Sequence, residues 1–110
     1  MALTEGAKGS LLLDGTVQDL IATATGLKYY SGYAFLHNLV SGDSIEFVIY
    51  VYDPQSAVQR IYDKFTVTGV QTKPLAFIPN LPTQEFKVTA EQKAEGAGGF
   101  KTLTFVRYDS

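Results

Sequence analysis

The residue types needed for nucleophilic catalysis occur close together in one part of the sequence. His37 is the single histidine, and Ser31, Ser41 and Asp43 lie near it along the chain. A serine nucleophile, a histidine base and an aspartate that orients the base would give acyl-transfer chemistry. Ser41, however, belongs to a Ser-Gly-Asp turn and lacks the strained GxSxG setting that exposes a nucleophile. An enzyme centred on His37 is therefore a minor hypothesis, and a histidine near a strand end with a satisfied ring is the preferred interpretation.

Acidic side chains offer two further kinds of chemistry, metal binding and glycoside hydrolysis. Asp14, Asp43 and Asp53 lie in predicted turns, where oxygen ligands could hold calcium, but their spacing does not match a calcium-binding loop. Paired carboxylates could hydrolyse glycosidic bonds, but the candidate residues are scattered among lysines, as on solvated faces: Glu46, Glu85, Glu91 and Glu95. The run EGAGG at 95–99 lacks the GxxxxGK[ST] order of a phosphate-binding loop, and there is no cysteine. The sequence therefore predicts no catalytic residue, no metal site and no cofactor.

Tyrosine is the residue type that points most clearly to a function. The chain has seven tyrosines, more than the core of so small a domain usually buries, and tyrosine is enriched at interfaces because it joins a large apolar ring to a polar tip. Three interpretations stay open: a protein–protein surface, a carbohydrate platform, and a two-layer core with the phenols at its rim. With the leucine run near the N-terminus, the predicted contact residues are Leu11, Leu12, Leu13, Tyr29, Tyr30, Tyr50 and Tyr52.

Length and composition limit the class of protein. One hundred and ten residues, 45% of them apolar, make one domain with a real core. A net charge of −2 with interspersed signs gives no basic surface for nucleic acid, and no apolar run reaches the roughly 18 residues that span a bilayer. The first residues, MALTEGAKGS, lack the pattern of a signal peptide. We therefore expect neither a nucleic acid nor a membrane as partner.

The elements that would position these residues are β-strands. The stretch Tyr29–Asp53 has two apolar, aromatic runs on either side of a Ser-Gly-Asp turn, which predicts the central hairpin of a β-domain. In the second run, alternate residues from Ile45 onward are expected to face the core. Residues 1–10 lack periodicity and predict a flexible N-terminal arm. The remaining residues, 11–110, are expected to form a single β-sandwich domain.

Glycine and proline divide the rest of the domain into further strands. Asp14-Gly15 predicts a tight hairpin turn, Val17–Thr25 is interpreted as a strand in preference to a helix, and Gly26 predicts a turn before the next strand. Val58–Thr68 mixes charged and apolar residues, which predicts an edge strand guarded by charge. The LAFI segment between Pro74 and Pro79 predicts a short edge strand or a crossing loop.

The C-terminal third completes the strand count. Phe86, Val88 and Ala90 alternate with polar residues and predict a half-exposed strand. The run EGAGG at 95–99 is expected to be the most flexible loop, and residues 100–108 predict a closing strand. About eight strands at roughly ten-residue spacing predict an all-β, antiparallel β-sandwich, with a jelly roll as one version.

Two resemblances to known families support this interpretation. The piece SGYAFLHNLVSGDSIEFVIYV, with Ser31-Gly32-Tyr33 and Ser41-Gly42-Asp43, is similar to the strand–Gly-Asp–strand element of trimeric C1q/TNF-type jelly rolls, which implies a trimer of jelly rolls. The cysteine-free chain with its N-terminal arm, Tyr-rich strands and proline-bounded connections resembles the small virion proteins of tailed phages and related viruses. That family comprises decoration, cement, minor capsid and tail proteins.

The leading hypothesis is a non-enzymatic structural protein of a virus particle that decorates or cements a capsid or tail lattice. Its partners would be copies of itself, in a homo-oligomer such as a trimer, and a major capsid or other virion protein. Aromatic surface and strand pairing by the N-terminal arm would hold it in place, and it would be located in the virion after assembly in the host cytoplasm. The alternative, from another class, is a carbohydrate-binding β-sandwich module.

Overall fold

The chain is built from β-strands that pair antiparallel. The computed structural model describes residues 3–73, 75–76 and 81–110, and within these ranges there is no helix. This confirms the all-β, antiparallel class predicted from the alternating apolar pattern. The described residues form seven strands rather than about eight: β1 Thr4–Leu12, β2 Gln18–Phe35, β3 Ser44–Asp53, β4 Val58–Thr68, β5 Leu75–Ala76, β6 Leu81–Ala94 and β7 Thr102–Asp109.

The strands join in one hydrogen-bonded sheet whose order is β1-β7-β2-β6-β3-β4, with β5 on β2. The predicted central hairpin between β2 and β3 is wrong, because β6 lies between them. The core-facing residues of β3 are matched by those of β6, since Phe47 pairs with Ala90 and Ile49 with Val88. Period-two patterning therefore identified the buried face of β3 but not its neighbour.

The second strand, β2, is the element that connects the two ends of the sheet. Its residues from Gln18 to Tyr30 pair with β6, and those from Tyr30 to Phe35 pair with β7. Gly26 does not open a turn, as the sequence suggested, but lies inside the strand at a φ of +107°. Three register shifts in the β2–β6 ladder let this strand bend without ending, because each bulge adds local twist.

The predicted N-terminal arm is largely an edge strand. Thr4–Leu12 forms β1 and pairs with β7 from Asp109 to Thr102; Met1 and Ala2 lie outside the described residues. Asp14-Gly15 forms a turn in which the Asp14 carboxylate accepts a hydrogen bond from Thr16 N at 2.9 Å. It is not a hairpin turn, because the partner of β1 is β7 and not β2.

Two predictions about the edges of the sheet have different outcomes. The charged strand Val58–Thr68 is β4 and lies at the end of the strand order, so the predicted edge strand is confirmed. Half of the proline-bounded LAFI segment, residues 77–78, lies outside the described residues. Its first two residues form β5, which pairs with Tyr33–Ala34 of β2.

A single hydrophobic cluster forms the interior. Ile45, Phe47 and Ile49 are fully buried, as the alternation in β3 predicted. The Tyr30 and Phe86 rings stack with centroids 5.3 Å apart, so the cluster joins β2 to β6. It also includes Leu13, Leu20, Ile21, Ala24, Ala34, Leu36, Leu39, Leu81, Val88, Ala90 and Leu103.

Candidate interaction surface

Two of the seven predicted contact residues lie in the core instead of on the surface. Leu13 is 1% exposed and Tyr30 is fully buried, with its hydroxyl donating a 2.6 Å hydrogen bond to Gly26 O. Burial raises the pKa of the Tyr30 phenol, as does the nearby Asp109 carboxylate, and the Arg107 guanidinium opposes them only in part. The prediction that these two side chains contact a partner is therefore wrong.

Tyr50 and Tyr52, on the outer face of β3, are half-buried. Lys87 Nζ lies 4.6 Å from the centre of the Tyr50 ring, a cation–π contact. The backbone N–H of Tyr52 donates to Thr83 Oγ1 at 3.0 Å. The Tyr50 ring is thus engaged within the chain, whereas the hydrogen bond of Tyr52 involves its backbone and not its ring.

Leu12 and Tyr29 are exposed, and Leu11 packs at the edge of the core. Tyr29 exchanges two backbone hydrogen bonds with Ser110, at 2.8 and 2.9 Å. Its ring lies beside a shallow groove of about 290 Å³ whose wall includes Leu27 and Pro82. The predicted contact residues therefore do not form one continuous surface.

The structure instead brings together three aromatic rings that were not among the predicted contact residues. Tyr33 and Phe35 lie on one face of β2, with ring centroids 6.3 Å apart, and Tyr108 of β7 meets Tyr33 edge-on at 6.5 Å. Tyr33 is exposed and the other two rings are half-buried. The two-residue spacing of Tyr33 and Phe35 could have predicted that they share a face of the strand. The pairing of β7 with this part of β2 could not be predicted in the same way. We call this group the aromatic face.

A second group of exposed apolar side chains lies on the edge strand β4. Val58, Ile61 and Tyr62 are 42%, 57% and 53% exposed. The ladder between β3 and β4 shifts register between Ile49 and Tyr50, so β4 carries a bulge at this point. Apolar residues on an edge strand are unusual, because such edges tend to associate.

The most hydrogen-bonded polar group of the described chain is Asp43, in the turn before β3. Its Oδ1 accepts from Gly96 N at 2.7 Å, Gln92 Nε2 at 3.1 Å and Lys101 Nζ at 3.2 Å. Its Oδ2 accepts from Val40 N at 2.8 Å. The Asp43 side chain is fully buried and that of Lys101 is 11% exposed, so this is a satisfied internal ion pair.

The protonation of Asp43 follows from this environment. Burial of the carboxylate works to raise its pKa. The hydrogen bonds from Gly96 N and Val40 N, together with the Lys101 ammonium, outweigh burial and hold the pKa of Asp43 below its usual range. The carboxylate is therefore ionised near neutral pH and acts as a structural anchor.

The glycine-rich loop 95–99, predicted to be the most flexible, is held by the same network. Lys101 Nζ donates to Ala97 O at 2.9 Å and to Gly99 O at 2.7 Å. A side chain on Gly96 would collide with the carbonyl oxygen of Ser41. Glycine at this position serves the close approach of two backbones, a role that the sequence analysis did not assign to it.

The residues considered for catalysis are not brought together. His37 is exposed in the connection after β2, beside Thr72 and Lys73 in a small recess, whereas Asp43 is buried in its own network. The described residues contain no group of three or more His, Cys, Asp or Glu side chains that could hold a metal ion. Among them there is also no helix of the length and apolarity needed to cross a membrane.

Neither protein-family models, nor curated proteins, nor solved structures give a match to this chain.

Proposed function

We propose that this chain is a non-enzymatic structural protein of a virus particle, which decorates or cements a capsid or tail lattice through protein–protein contacts. The observation that carries the proposal is the aromatic face formed by Tyr33, Phe35 and Tyr108. The three rings form a contiguous, partly exposed apolar surface, and apolar surface of this kind on a small protein is typical of an interaction site. Tyrosine and phenylalanine are also enriched at protein interfaces. The major capsid or another virion protein is the partner, and the virion is the location.

We further propose that the sheet closes into a two-layer sandwich of the jelly-roll type. One layer would contain β4, β3, β6 and the first part of β2, and the other the last part of β2 with β5, β7 and β1. The smallest dimension of the molecule is 17 Å, which fits two sheets about 10 Å apart. A groove between Ala7 and Phe105 on one side and Leu20 and Ala22 on the other also supports this arrangement, because β1 and the first part of β2 do not pair.

Ring geometry favours a protein over a sugar as the partner of the aromatic face. A sugar ring stacks on the face of an aromatic ring, and coplanar neighbouring rings extend such a platform. The Tyr33 and Phe35 planes differ by 32°, and Tyr108 stands at 83° to Tyr33. Rings inclined in this way suit interdigitation with the side chains of another protein, as in close-packed protein interiors.

The test is incorporation into particles. Particles purified from the source culture should contain the chain in a fixed ratio to the major capsid protein, measured by quantitative mass spectrometry. Tyr33→Ala should abolish rebinding to particles stripped of the chain, whereas Tyr29→Ala, a matched change of an exposed tyrosine elsewhere, should leave rebinding unchanged. Absence of the chain from particles, or saturable binding on a glycan array, would overturn the proposal.

A further inference from the structure

The edge strand β4 is long and carries both charged and apolar side chains. β4 ends the strand order, and its edge away from β3 has no strand partner among the residues that the structure describes. It runs for 11 residues, from Val58 to Thr68. Backbone N–H and C=O groups along such an edge can pair with a strand from another chain.

The bulge in β4 decides which side chains share a face. Ile61 pairs with Tyr50 and Asp63 pairs with Ile49, so Tyr62 is the extra residue. Arg60 pairs with Val51, which lies two residues from Ile49 and therefore on the same face of the sheet. Arg60 and Asp63 thus lie on one face, although three positions separate them in sequence.

We propose that the β4 edges of two copies of this chain pair antiparallel about a two-fold axis that passes between Ile61 and Tyr62. In this register Arg60 lies opposite Asp63 of the second copy, and Ile61 lies opposite Tyr62 of the second copy. Each contact occurs twice because a two-fold interface is self-complementary. The pairing joins the two sheets into one continuous sheet. It specifies how copies of this chain would associate in a virus particle, so it rests on the proposed function.

Charge and apolarity select this register over its neighbours. A shift of one residue turns the side chains of one strand to the other face of the sheet, so that they no longer meet those of the second copy. A shift of two residues sets Arg60 against Phe65 of the second copy in one direction and Val58 against Asp63 in the other. In the central register Val58 meets Phe65 and Arg60 meets Asp63, so that an apolar residue lies opposite an apolar residue and a cation opposite an anion.

The charged residues of β4 are of both signs, so they do not protect this edge by mutual repulsion between copies. A strand with one sign of charge repels a second copy, whereas here a cation and an anion flank two exposed apolar residues. The Arg60 side chain is 59% exposed and binds Asp53 Oδ2 through Nε at 3.2 Å, which leaves guanidinium donors for a second carboxylate. The other edge strand, β1, also has a cation and an anion, Lys8 and Glu5, but the residues between them are Gly6 and Ala7, so no large apolar side chain lies between these two charges.

Sedimentation equilibrium of the full chain with charge-reversal variants tests the proposal. The native chain should have twice the mass of the 12.0 kDa chain. Arg60→Asp and Asp63→Arg should each be monomeric, since each sets like charges against each other. An equimolar mixture of the two variants should regain the dimer mass, because the mixed pair restores both ion pairs. Glu5→Arg on β1, the matched change on the opposite edge, should remain dimeric.

Urea unfolding curves of the native chain and of the three variants establish that the variants are folded. A monomeric native chain at millimolar concentration, or a dimer whose mass the β4 variants do not change, would overturn the pairing. Failure of the mixture to form a dimer would overturn it as well. None of these results affects incorporation into particles, so failure of the β4 pairing is distinguishable from failure of the proposed function.

Discussion

The substitution Asp43→Asn removes one negative charge from the interior while keeping the shape of the side chain. The native carboxylate accepts hydrogen bonds from Val40 N, Gly96 N, Gln92 Nε2 and Lys101 Nζ at 2.7 to 3.2 Å. An asparagine has only one side-chain oxygen. If that oxygen keeps the Gly96 and Lys101 bonds, the new NH₂ group points at the Val40 N–H, a donor facing a donor. The Lys101 ammonium also loses its counter-ion.

The expected loss follows from these two defects. Removing one partner of a buried ion pair costs about 3–5 kcal/mol, and leaving a buried donor unsatisfied costs about 1–3 kcal/mol. Because the asparagine oxygen retains part of the network, we expect the free energy of unfolding to fall by about 3 kcal/mol, at the lower end of the ion-pair range. With a urea dependence of about 1.5 kcal/mol per molar, the unfolding midpoint should fall by about 2 M urea.

Urea unfolding followed by far-ultraviolet circular dichroism measures this loss, and Asp53→Asn is the matched control. Asp53 also caps a turn, accepting from Gln55 N at 3.0 Å, and it pairs with Arg60, but it is partly exposed to water. Exposed pairs contribute about 0–1 kcal/mol, so the control should lose no more than that. An Asp43→Asn loss no larger than that of Asp53→Asn would refute the assignment of Asp43 as the anchor of the network.

The native chain and Asp43→Asn should also differ in how their stability depends on pH. The pKa of Asp43 is lower in the folded chain than its unfolded value of about 3.9. Its contribution to stability is therefore fully present above about pH 4 and is lost as the pH falls further. The free energy of unfolding of the native chain should fall more steeply below about pH 4 than that of Asp43→Asn. Parallel pH profiles of the two proteins would contradict the lowered pKa.

Two further substitutions test packing by urea unfolding. Gly96→Ala forces a methyl group into the carbonyl of Ser41, and we expect a loss of about 2–3 kcal/mol, in the upper range for overpacking. Gly69→Ala, at a φ of +73° in open space, should cost only the left-handed strain of about 1–2 kcal/mol; a smaller loss for Gly96→Ala would contradict the close approach. Phe86→Ala removes a fully buried ring that stacks on Tyr30 and should cost about 3–5 kcal/mol. Equal midpoints for Phe86→Ala and the native chain would contradict the core assignment.

Local sequence patterns correctly predicted which side chains are buried in β3 and which strand lies at an edge of the sheet. The alternation from Ile45 to Ile49 identified the buried face of β3, and the charges of Val58–Thr68 identified an edge strand. Both follow from which side chains can face water, which is a property of the residues themselves. Strand neighbours depend on segments far apart in sequence. For this reason β6, whose residues come some 40 positions after those of β3 with which they pair, could not be placed between β2 and β3.

The candidate surface was less predictable than the fold for the same reason. Seven tyrosines were a real signal of surplus aromatic area, but the sequence did not state which rings the core would take. Tyr30 lies in the core, where its ring stacks on Phe86, whereas Tyr33 is exposed beside Tyr108. Glycine was also ambiguous from sequence alone: Gly26 continues a bent strand, and Gly96 allows two backbones to touch.

Burial separates the roles of the two oppositely charged pairs that matter most in this molecule. Asp43 and Lys101 are removed from water and bonded to each other, so this ion pair stabilises the contact between the turn before β3 and the loop 95–99. Arg60 and Asp63 are exposed and lie on one face of an edge strand, where water can be replaced by the matching residues of a second chain. Since exposed ion pairs stabilise a monomer by only about 0–1 kcal/mol, reversing either charge should change association far more than folding. A charge reversal at β4 that unfolded the monomer would mean that these residues serve the fold and not the interface.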